Sequence, residues 1–301
     1  MNIESFSEEQ EYLQKYSIDA FDRPSLATDI TIFSIMNEQE KINIRKLQKK
    51  ALKVLLIKRA SFPYKNYWAL PGGFCIKGED VIDTAKRELY EETNIQNAFL
   101  QLVGAFGESN RDPRGWIISN AFVALIDGEL VNLRASTDAW EACWFSMDIR
   151  KNEVERTLSE NSICIVTQYT IFLKNSEKNI EMKIVLQEKK LFQDYHETIQ
   201  IRIEESDLLA FDHAKIILTA YQFLKESIEK DTKAVFDLLP EQFTLSQLQN
   251  VLEIILDKAL LPANFRRKIS EYVVETDQIV KHVGYRPAKL FRRNISSFYK
   301  E

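Results

Sequence analysis

The chain has 301 residues, of which 45% are hydrophobic and 28% are charged, and its formal net charge is −5. This composition is ordinary for a globular protein, and the length suits one large domain or two moderate ones, so we expect two domains. The acidic N-terminus lacks the basic and apolar segments of a secretion signal, and no apolar run is long enough to span a bilayer, so we expect a cytoplasmic protein without a membrane association.

The first two thirds of the chain alternate between strand-like and helix-like segments. Buried strands are predicted at residues 29–35, 51–60, 116–126 and 139–147, each rich in β-branched or aromatic residues. A loop and a helix over about Asp80–Thr93 stand between the second and third strands. Beyond Thr157, two further apolar runs at 162–175 and 181–192 flank the turn-like segment SEKN and predict a hairpin added to the first domain.

The pattern becomes helical after Asp212, where apolar residues recur at Ile216, Ile217, Ala220, Phe223 and Leu224. Nothing strand-like follows until Tyr272. We therefore place a boundary near Glu205–Leu209, which gives domains at residues 1–207, with the added hairpin region at about 157–203, and 208–301. The mixture of strands and helices predicts an α+β fold.

Three acids, Glu88, Glu91 and Glu92, crowd the predicted helix at 80–93. They lie at one edge of its apolar stripe, with Glu92 almost inside that stripe, whereas a solvated charge run would lie on the opposite side. Carboxylates that converge at a partly shielded edge suit Mg²⁺ or Mn²⁺. The preceding Pro71-Gly72-Gly73 lets the backbone approach the same ion or a phosphate closely.

These residues resemble the Nudix box: Gly73, five residues, Glu79, seven residues, Arg87-Glu88-Leu89, then Glu91-Glu92. Asn94 replaces the final glycine of that motif and is the next best residue for the left-handed end of a helix. The resemblance implies an α/β/α Nudix sandwich and a divalent metal at Glu88, Glu91, Glu92 and the Gly73 carbonyl. It also implies that Arg87 holds a glutamate through an ion pair, and that Glu79 is either a metal ligand or structural.

The resemblance also implies substrates in which a nucleoside diphosphate is linked to another group. A metal site of this kind supports their hydrolysis, because the ion activates a water for attack on phosphorus. A base is also needed. The three histidines, His196, His213 and His282, are all distant from the box in sequence, so a glutamate is expected to serve.

A second segment that could bind a ligand is RDPRG. It places Arg111 and Arg114 on a loop directly before a predicted strand. Their guanidinium groups could bind phosphates or ribose hydroxyls, and the segment resembles one in Nudix domains that handle ADP-ribose. Asp112-Pro113-Arg114-Gly115 is equally a good turn sequence. Trp68 could stack on a base, although a core tryptophan is the favoured interpretation.

The C-terminal end is basic: residues 258–301 carry a net charge of +6, which leaves −11 on residues 1–257. Two helices are predicted, the first capped by Thr244 and Gln247 and the second beginning near Pro262. Two strands around Gly284 follow. This order is that of a winged helix-turn-helix, in which the second helix enters the major groove and the wing neutralises phosphates. Candidate DNA-binding residues are Asn264, Arg266, Arg267, Lys268, Lys281, Arg286 and Lys289.

The order of parts resembles the Nudix-related transcriptional regulators of NAD metabolism. The matching segments are FDRPS, RDPRG, FDHAKII, FTLSQLQ, NFRRKI and RPAKLFRR, between residues 21 and 293. The resemblance implies ADP-ribose or a related nucleotide as effector and a homodimer on a double-stranded operator. The hypothesis is thus an ADP-ribose-responsive regulator that retains Mg²⁺-dependent pyrophosphohydrolase chemistry. The alternative is a housekeeping hydrolase whose basic C-terminal domain serves interaction or dimerisation.

Overall fold

The computed structural model describes residues 3–38, 50–95, 98–128, 139–280 and 287–298. The N-terminal elements are helix α1 (Ile3–Lys15), strands β1 (Ser25–Asn37), β2 (Lys50–Arg59), β3 (Trp68–Ala69) and β4 (Gly72–Phe74), and helix α2 (Val81–Thr93). Strands β5 (Phe99–Phe106), β6 (Ile117–Leu125), β7 (Ala139–Leu158), β8 (Ser162–Asn175), β9 (Ile180–Gln193) and β10 (His196–Ser206) follow. The C-terminal elements are α3 (His213–Lys230), a 3₁₀ helix (Thr232–Leu238), α4 (Leu245–Leu256), α5 (Pro262–Ile269), β11 (Val273–Val280), β12 (Ala288–Arg293) and α6 (Ile295–Phe298).

One mixed sheet joins the first ten strands. Its order is β10-β9-β8-β7-β2-β1-β6-β5, with β3 paired to β2 and β4 paired to β1. Among these pairings only β1 with β6 is parallel. The parallel pair brings the start of β1 beside the start of β6, next to β4 and the predicted RDPRG loop, and so assembles one edge of the candidate site.

The central strands are apolar on both faces because helices cover both. Ile30 and Ile32 of β1 share a buried cluster with Ala85 and Leu89 of α2. The alternate residue Phe33 points to the other side, into a cluster that contains α3. Because successive side chains of a strand point to opposite faces, near-continuous apolar strands fit a sheet between two helical layers. The predicted α+β Nudix sandwich is confirmed.

The predicted hairpin is confirmed, and the structure extends it. Strands β8 and β9 pair in antiparallel register from Ser162 with Gln193 to Asn175 with Ile180. However, β7 runs to Leu158 rather than ending near 147, and β10 adds a third strand that sequence analysis did not separate from the hairpin region. The strand β5 was also missed.

The C-terminal region has the predicted winged-helix layout. Thr244 and Gln247 form a capping box at the start of α4, and Pro262 begins α5, as predicted. Phe265 and Ile269 of α5 are buried four residues apart, so the remaining face of α5 points outward. Strands β11 and β12 pair in antiparallel register as the wing, and Phe291 of β12 also bridges to Phe243.

The two parts of the chain share a core. The predicted boundary near residue 207 lies between β10 and α3, and it stays a prediction. One continuous cluster of buried side chains contains Phe33 and Leu125 of the sheet, Ile217 of α3, and Phe236 and Leu248 beyond it. Among the described residues, no helix is long and apolar enough to cross a membrane.

Candidate functional site

A cavity of about 330 Å³ opens between α2, the start of β6 and the start of α3. All eight residues predicted for the Nudix site line it: Gly72, Gly73, Arg87, Glu88, Glu91, Glu92, Arg111 and Arg114. The glycine loop, the acidic helix and the RDPRG loop therefore converge on one concave surface. Whether these residues bind a ligand or metal stays a prediction.

The acidic residues of helix α2 differ in how deeply they are buried. Asp80 caps its N-terminus by accepting a bond from the Ile82 amide, and Asn94 ends it in the left-handed conformation at φ 59°, as predicted. Glu92 is buried, with 3% of its surface exposed, whereas Glu91 lies on the solvent side. The predicted position of Glu92 at the edge of the apolar stripe is confirmed.

Arg87 holds two glutamates together. Its Nη1 donates to Glu88 Oε1 at 2.7 Å, and its Nε donates to Glu79 Oε1 at 3.1 Å. Glu91 lies 3.7 Å from the same guanidinium group. Burial raises the pKa of Glu88, and the Arg87 cation opposes that rise. Glu79, which also accepts a bond from Thr84, is thus engaged in fixing Arg87.

The two glycines before α2 leave space for two different neighbours. A Cβ on Gly72, which has φ +153°, would lie 2.1 Å from the backbone oxygen of Thr28. A Cβ on Gly73 would lie 2.1 Å from Oε1 of Glu88. Gly72 therefore permits the close approach of β4 to β1, whereas Gly73 leaves room for a carboxylate.

The RDPRG loop forms the predicted turn, and its two arginines lie in different settings. Arg111 is almost fully buried: its Nε donates to Asp212 at 3.0 Å, and its Nη2 donates to Asp212 at 2.7 Å and to Asp29 at 3.2 Å. Arg114 is partly exposed, pairs with Asp112 at 2.7 Å, and lies over the rings of Phe74 and Phe211. Of the two, Arg114 is the more accessible to a ligand.

Sequence analysis missed part of the cavity wall. Asp29, Phe211 and His213 all line the cavity. His213 was set aside because it lies far from the box in sequence, but its Nδ1 accepts a 2.8 Å bond from the Leu70 amide, and its Nε2 lies 3.4 Å from Asp29. Burial lowers the pKa of His213, which favours the neutral ring. Phe211 and His213 lie in the matching segment FDHAKII, whereas Asp29 lies at the start of a predicted strand. Trp68, in contrast, is a core residue as favoured, packed edge-on against Phe145.

The acidic side of the cavity has the chemistry of a divalent metal site. Carboxylate oxygens of Glu88, Glu91 and Glu92 line it together with the Gly73 backbone, and the space at Gly73 is bounded by the Glu88 carboxylate. In the described part of the chain, no group of three acids, histidines or cysteines is arranged as a finished metal centre. Hard oxygen donors beside an open cavity nevertheless fit Mg²⁺ or Mn²⁺, which retain several waters.

The candidate DNA-binding residues are distributed over α5 and the wing. Asn264, Arg266, Arg267 and Lys268 all lie on the exposed face of α5. None of these three cations forms an ion pair with a described residue. Lys289 lies on β12 and pairs with Glu275 of β11. The predicted Lys281 and Arg286 lie outside the described residues.

Two segments of the chain match known protein families. Residues 32–159 match the NUDIX domain, and residues 235–293 match the NrtR DNA-binding winged helix domain. Nudix hydrolases generally use a divalent metal.

Three known proteins illustrate the similarity. The chain is 32% identical, over 96% of its length and 89% of the relative's, to a protein of Acinetobacter baylyi described as an ADPR responsive transcriptional repressor, NtrR. It is 43% identical over 97 residues, 32% of this chain and 56% of the relative, to an ADP-ribose pyrophosphatase of Methanocaldococcus jannaschii. A MutT/nudix family protein from Enterococcus faecalis shares the fold, with a TM-score of 0.64 at 22% identity over 96% of this chain and 93% of that one. The chain therefore belongs to the NrtR family of transcriptional regulators, in which a Nudix domain is joined to a winged-helix DNA-binding domain.

Proposed function

We propose that this protein is a transcriptional regulator that binds ADP-ribose, or a related nucleoside diphosphate derivative, in its Nudix cavity and binds an operator through its winged helix. The observation that carries the proposal is that the predicted ligand residues share one cavity. A relative that is 32% identical over 89% of its own length is described as an ADPR responsive transcriptional repressor, which supports the proposal. We propose that it binds operator DNA as a homodimer, because such modules read two-fold sites.

The cavity supports a ligand with phosphates and a flat ring. Arg59 at the end of β2 and Arg111 and Arg114 on the RDPRG loop supply positive charge from two segments, and guanidinium groups bind phosphate oxygens in pairs. Phe74 and Phe211 supply ring faces at the same wall, where Arg114 already stacks. Cationic and aromatic groups in this proximity suit a nucleoside diphosphate better than a purely apolar ligand.

The winged-helix region supports binding to double-stranded DNA. Helix α5 is anchored by Phe265 and Ile269, so its polar face is held outward as one rigid surface. That face carries Asn264 between cations, the combination that reads base edges and neutralises phosphates. The proposed readers are Asn264, Arg266, Arg267 and Lys268 of α5 and Lys289 of β12, together with Lys281 and Arg286, which lie between β11 and β12 in sequence.

We also propose that the site retains pyrophosphohydrolase chemistry. Glu88, Glu91, Glu92 and the Gly73 carbonyl would hold Mg²⁺ or Mn²⁺, which when bound would neutralise phosphate charge and acidify a water. Arg87 would keep Glu88 oriented, as its 2.7 Å bond already does. The similarity to an ADP-ribose pyrophosphatase supports this second activity. An exclusively metabolic hydrolase with an interaction module is the competing proposal.

The test is direct DNA binding. Purified protein is titrated with DNA from upstream of its own gene and its neighbours at fixed salt, with and without ADP-ribose and Mg²⁺, and hydrolysis product is assayed in the same tubes. We expect specific binding whose affinity changes with ADP-ribose. Rapid hydrolysis without sequence-specific binding would support the metabolic hydrolase instead.

Paired variants locate the DNA interface. Replacing Arg266 and Arg267 with Ala should weaken operator binding and reduce the slope of log K against log salt by about 2, because two phosphate contacts are lost. The matched control is Lys151→Ala with Arg156→Ala, which removes two exposed cations from β7. An equal loss of operator affinity in both double variants would indicate a nonspecific charge effect.

A further inference from the structure

The segment between β10 and α3 forms part of the cavity wall. Trp68 donates its amide to the Leu208 carbonyl at 2.8 Å and accepts a 2.8 Å bond from the Ala210 amide. Phe211 and His213, which follow, line the cavity. A ligand in the Nudix cavity therefore lies against the chain segment that leads into the helical region.

The first turn of α3 is tied to the cavity by charged and polar contacts. Asp212 accepts two bonds from Arg111, and Arg111 also contacts Asp29 of β1. His213 accepts the bond from Leu70, one residue before the Pro71-Gly72-Gly73 loop. The Arg111–Asp212 contact spans 101 positions of the sequence, and the Leu70–His213 contact spans 143. Together they fix the N-terminus of α3 against the two loops of the site.

Helix α3 connects this contact to the winged helix. It has 18 residues, a length of about 27 Å. Its far end packs on the 3₁₀ helix and α4 in the shared core, and Glu229 near that end pairs with Lys258 at 3.3 Å. Beyond it, Arg293 of the wing pairs with Asp237 at 2.8 Å. If α3 moves as a rigid body, these contacts would transmit a change at its first turn to the DNA-binding elements.

We propose that the Arg111–Asp212 ion pair is the coupling contact between the ligand and DNA sites, with the ligand's diphosphate competing with Asp212 for the Arg111 guanidinium. This inference rests on the proposed function. Arg111 is a cation of the cavity wall, and it pairs with the residue at which α3 begins, its N-cap Asp212. A diphosphate offers Arg111 the same bidentate geometry as a carboxylate. Asp212 is thus a positioning residue, and ligand binding favours the state in which the first turn of α3 is released.

The test is the coupling factor, the ratio of operator dissociation constants with and without saturating ADP-ribose. Coupling in allosteric proteins is typically about 5- to 150-fold. In Asp212→Asn, which keeps the side-chain shape and removes its charge, we expect the ratio to fall to within about twofold of one while ADP-ribose binds as tightly as before or more tightly. A merely structural role would lower stability and leave the ratio unchanged.

The matched control is Glu108→Gln. Glu108 pairs with Lys215 at 2.7 Å, so this variant removes one charge and one ion pair between the same loop region and the same first turn of α3, but neither residue lines the cavity. We expect Glu108→Gln to keep the wild-type coupling ratio. An unchanged ratio in Asp212→Asn, or an equal loss in both variants, overturns the inference while leaving the proposed function intact.

A measurement on the unaltered protein covers the case in which Asp212→Asn does not fold. Amide hydrogen exchange of the α3 segment His213–Tyr221 is followed with and without ADP-ribose. We expect faster exchange with ligand, because the first turn loses its anchor. Unchanged or slower exchange there overturns the inference. If ADP-ribose has no effect on operator affinity in the wild type, the proposed function fails, and the inference fails with it.

Discussion

The adjacent glycines before α2 provide a stringent test of the site geometry, because each excludes a side chain for a different reason. In Gly72→Ala the Cβ meets the backbone of β1, which cannot turn aside, and the positive φ adds strain. Strain of this kind costs about 1–3 kcal/mol, and overpacking a further 1–3 kcal/mol, so unfolding free energy should fall by about 2–6 kcal/mol. In Gly73→Ala the obstruction is the flexible end of Glu88, whose displacement loses one charge-assisted hydrogen bond, about 1.5–3 kcal/mol.

A double-mutant cycle separates the two cases. The three atoms nearest to the position that a Cβ on Gly73 would take all belong to the Glu88 carboxyl group. The cost of Gly73→Ala should therefore largely disappear in a Glu88→Ala background, whereas the cost of Gly72→Ala should persist there. Denaturant titrations give the unfolding free energies of the wild type, of Gly72→Ala, Gly73→Ala and Glu88→Ala, and of the two double variants. These values give the coupling of each glycine with Glu88. A Gly73→Ala cost that is the same with and without Glu88 would refute the assigned contact.

Three further outcomes are expected. Glu92→Gln should keep the fold and lower Mg²⁺-dependent hydrolysis by about a hundredfold or more, measured as product formation; undiminished turnover would remove Glu92 from the mechanism. Because burial depresses the pKa of His213 below its ordinary value of 6.5, the unfolded chain binds a proton that the folded chain excludes, so stability should fall as pH drops below 6.5. In denaturant titrations at about pH 7.5 and about pH 5.5, His213→Gln should lose less unfolding free energy between the two pH values than the wild type. An identical loss would contradict the assignment of this pH dependence to His213. Phe236→Ala, in the shared core, should cost about 3–5 kcal/mol and shift one common thermal transition of both regions; separate transitions would argue against a shared core.

The parts of the molecule that sequence reasoning predicted are those with local signals. The left-handed Asn94, the capping box at Thr244 and the helix beginning at Pro262 each depend on residues within about one or two turns of one another, and the Nudix box lies within the single segment 73–95. Their conformations follow from capping, backbone preference and amphipathic spacing, which a short segment fully specifies.

The parts that were missed depend on residues distant in sequence. Strands β3 and β4 are two and three residues long, too short for a period, and exist because β1 and β2 supply their partners. His213 lies far from the Nudix box in sequence, and it is in the site because α3 returns to the Leu70 amide. Arg111 was expected to face a ligand, but its setting depends on Asp212, 101 residues later.

The contacts of Asp212 and His213 also have a consequence for biosynthesis. The cavity wall closes only when the chain beyond residue 207 is available, because its contacts with Arg111 and Leu70 come from the start of α3. During translation the sheet of the Nudix domain would remain exposed on its α3 face until the first turns of α3 emerge. Nascent chains arrested before α3 should consequently be more susceptible to proteolysis than those arrested after it. Exchanging the winged helix between relatives is best done with a junction after α3.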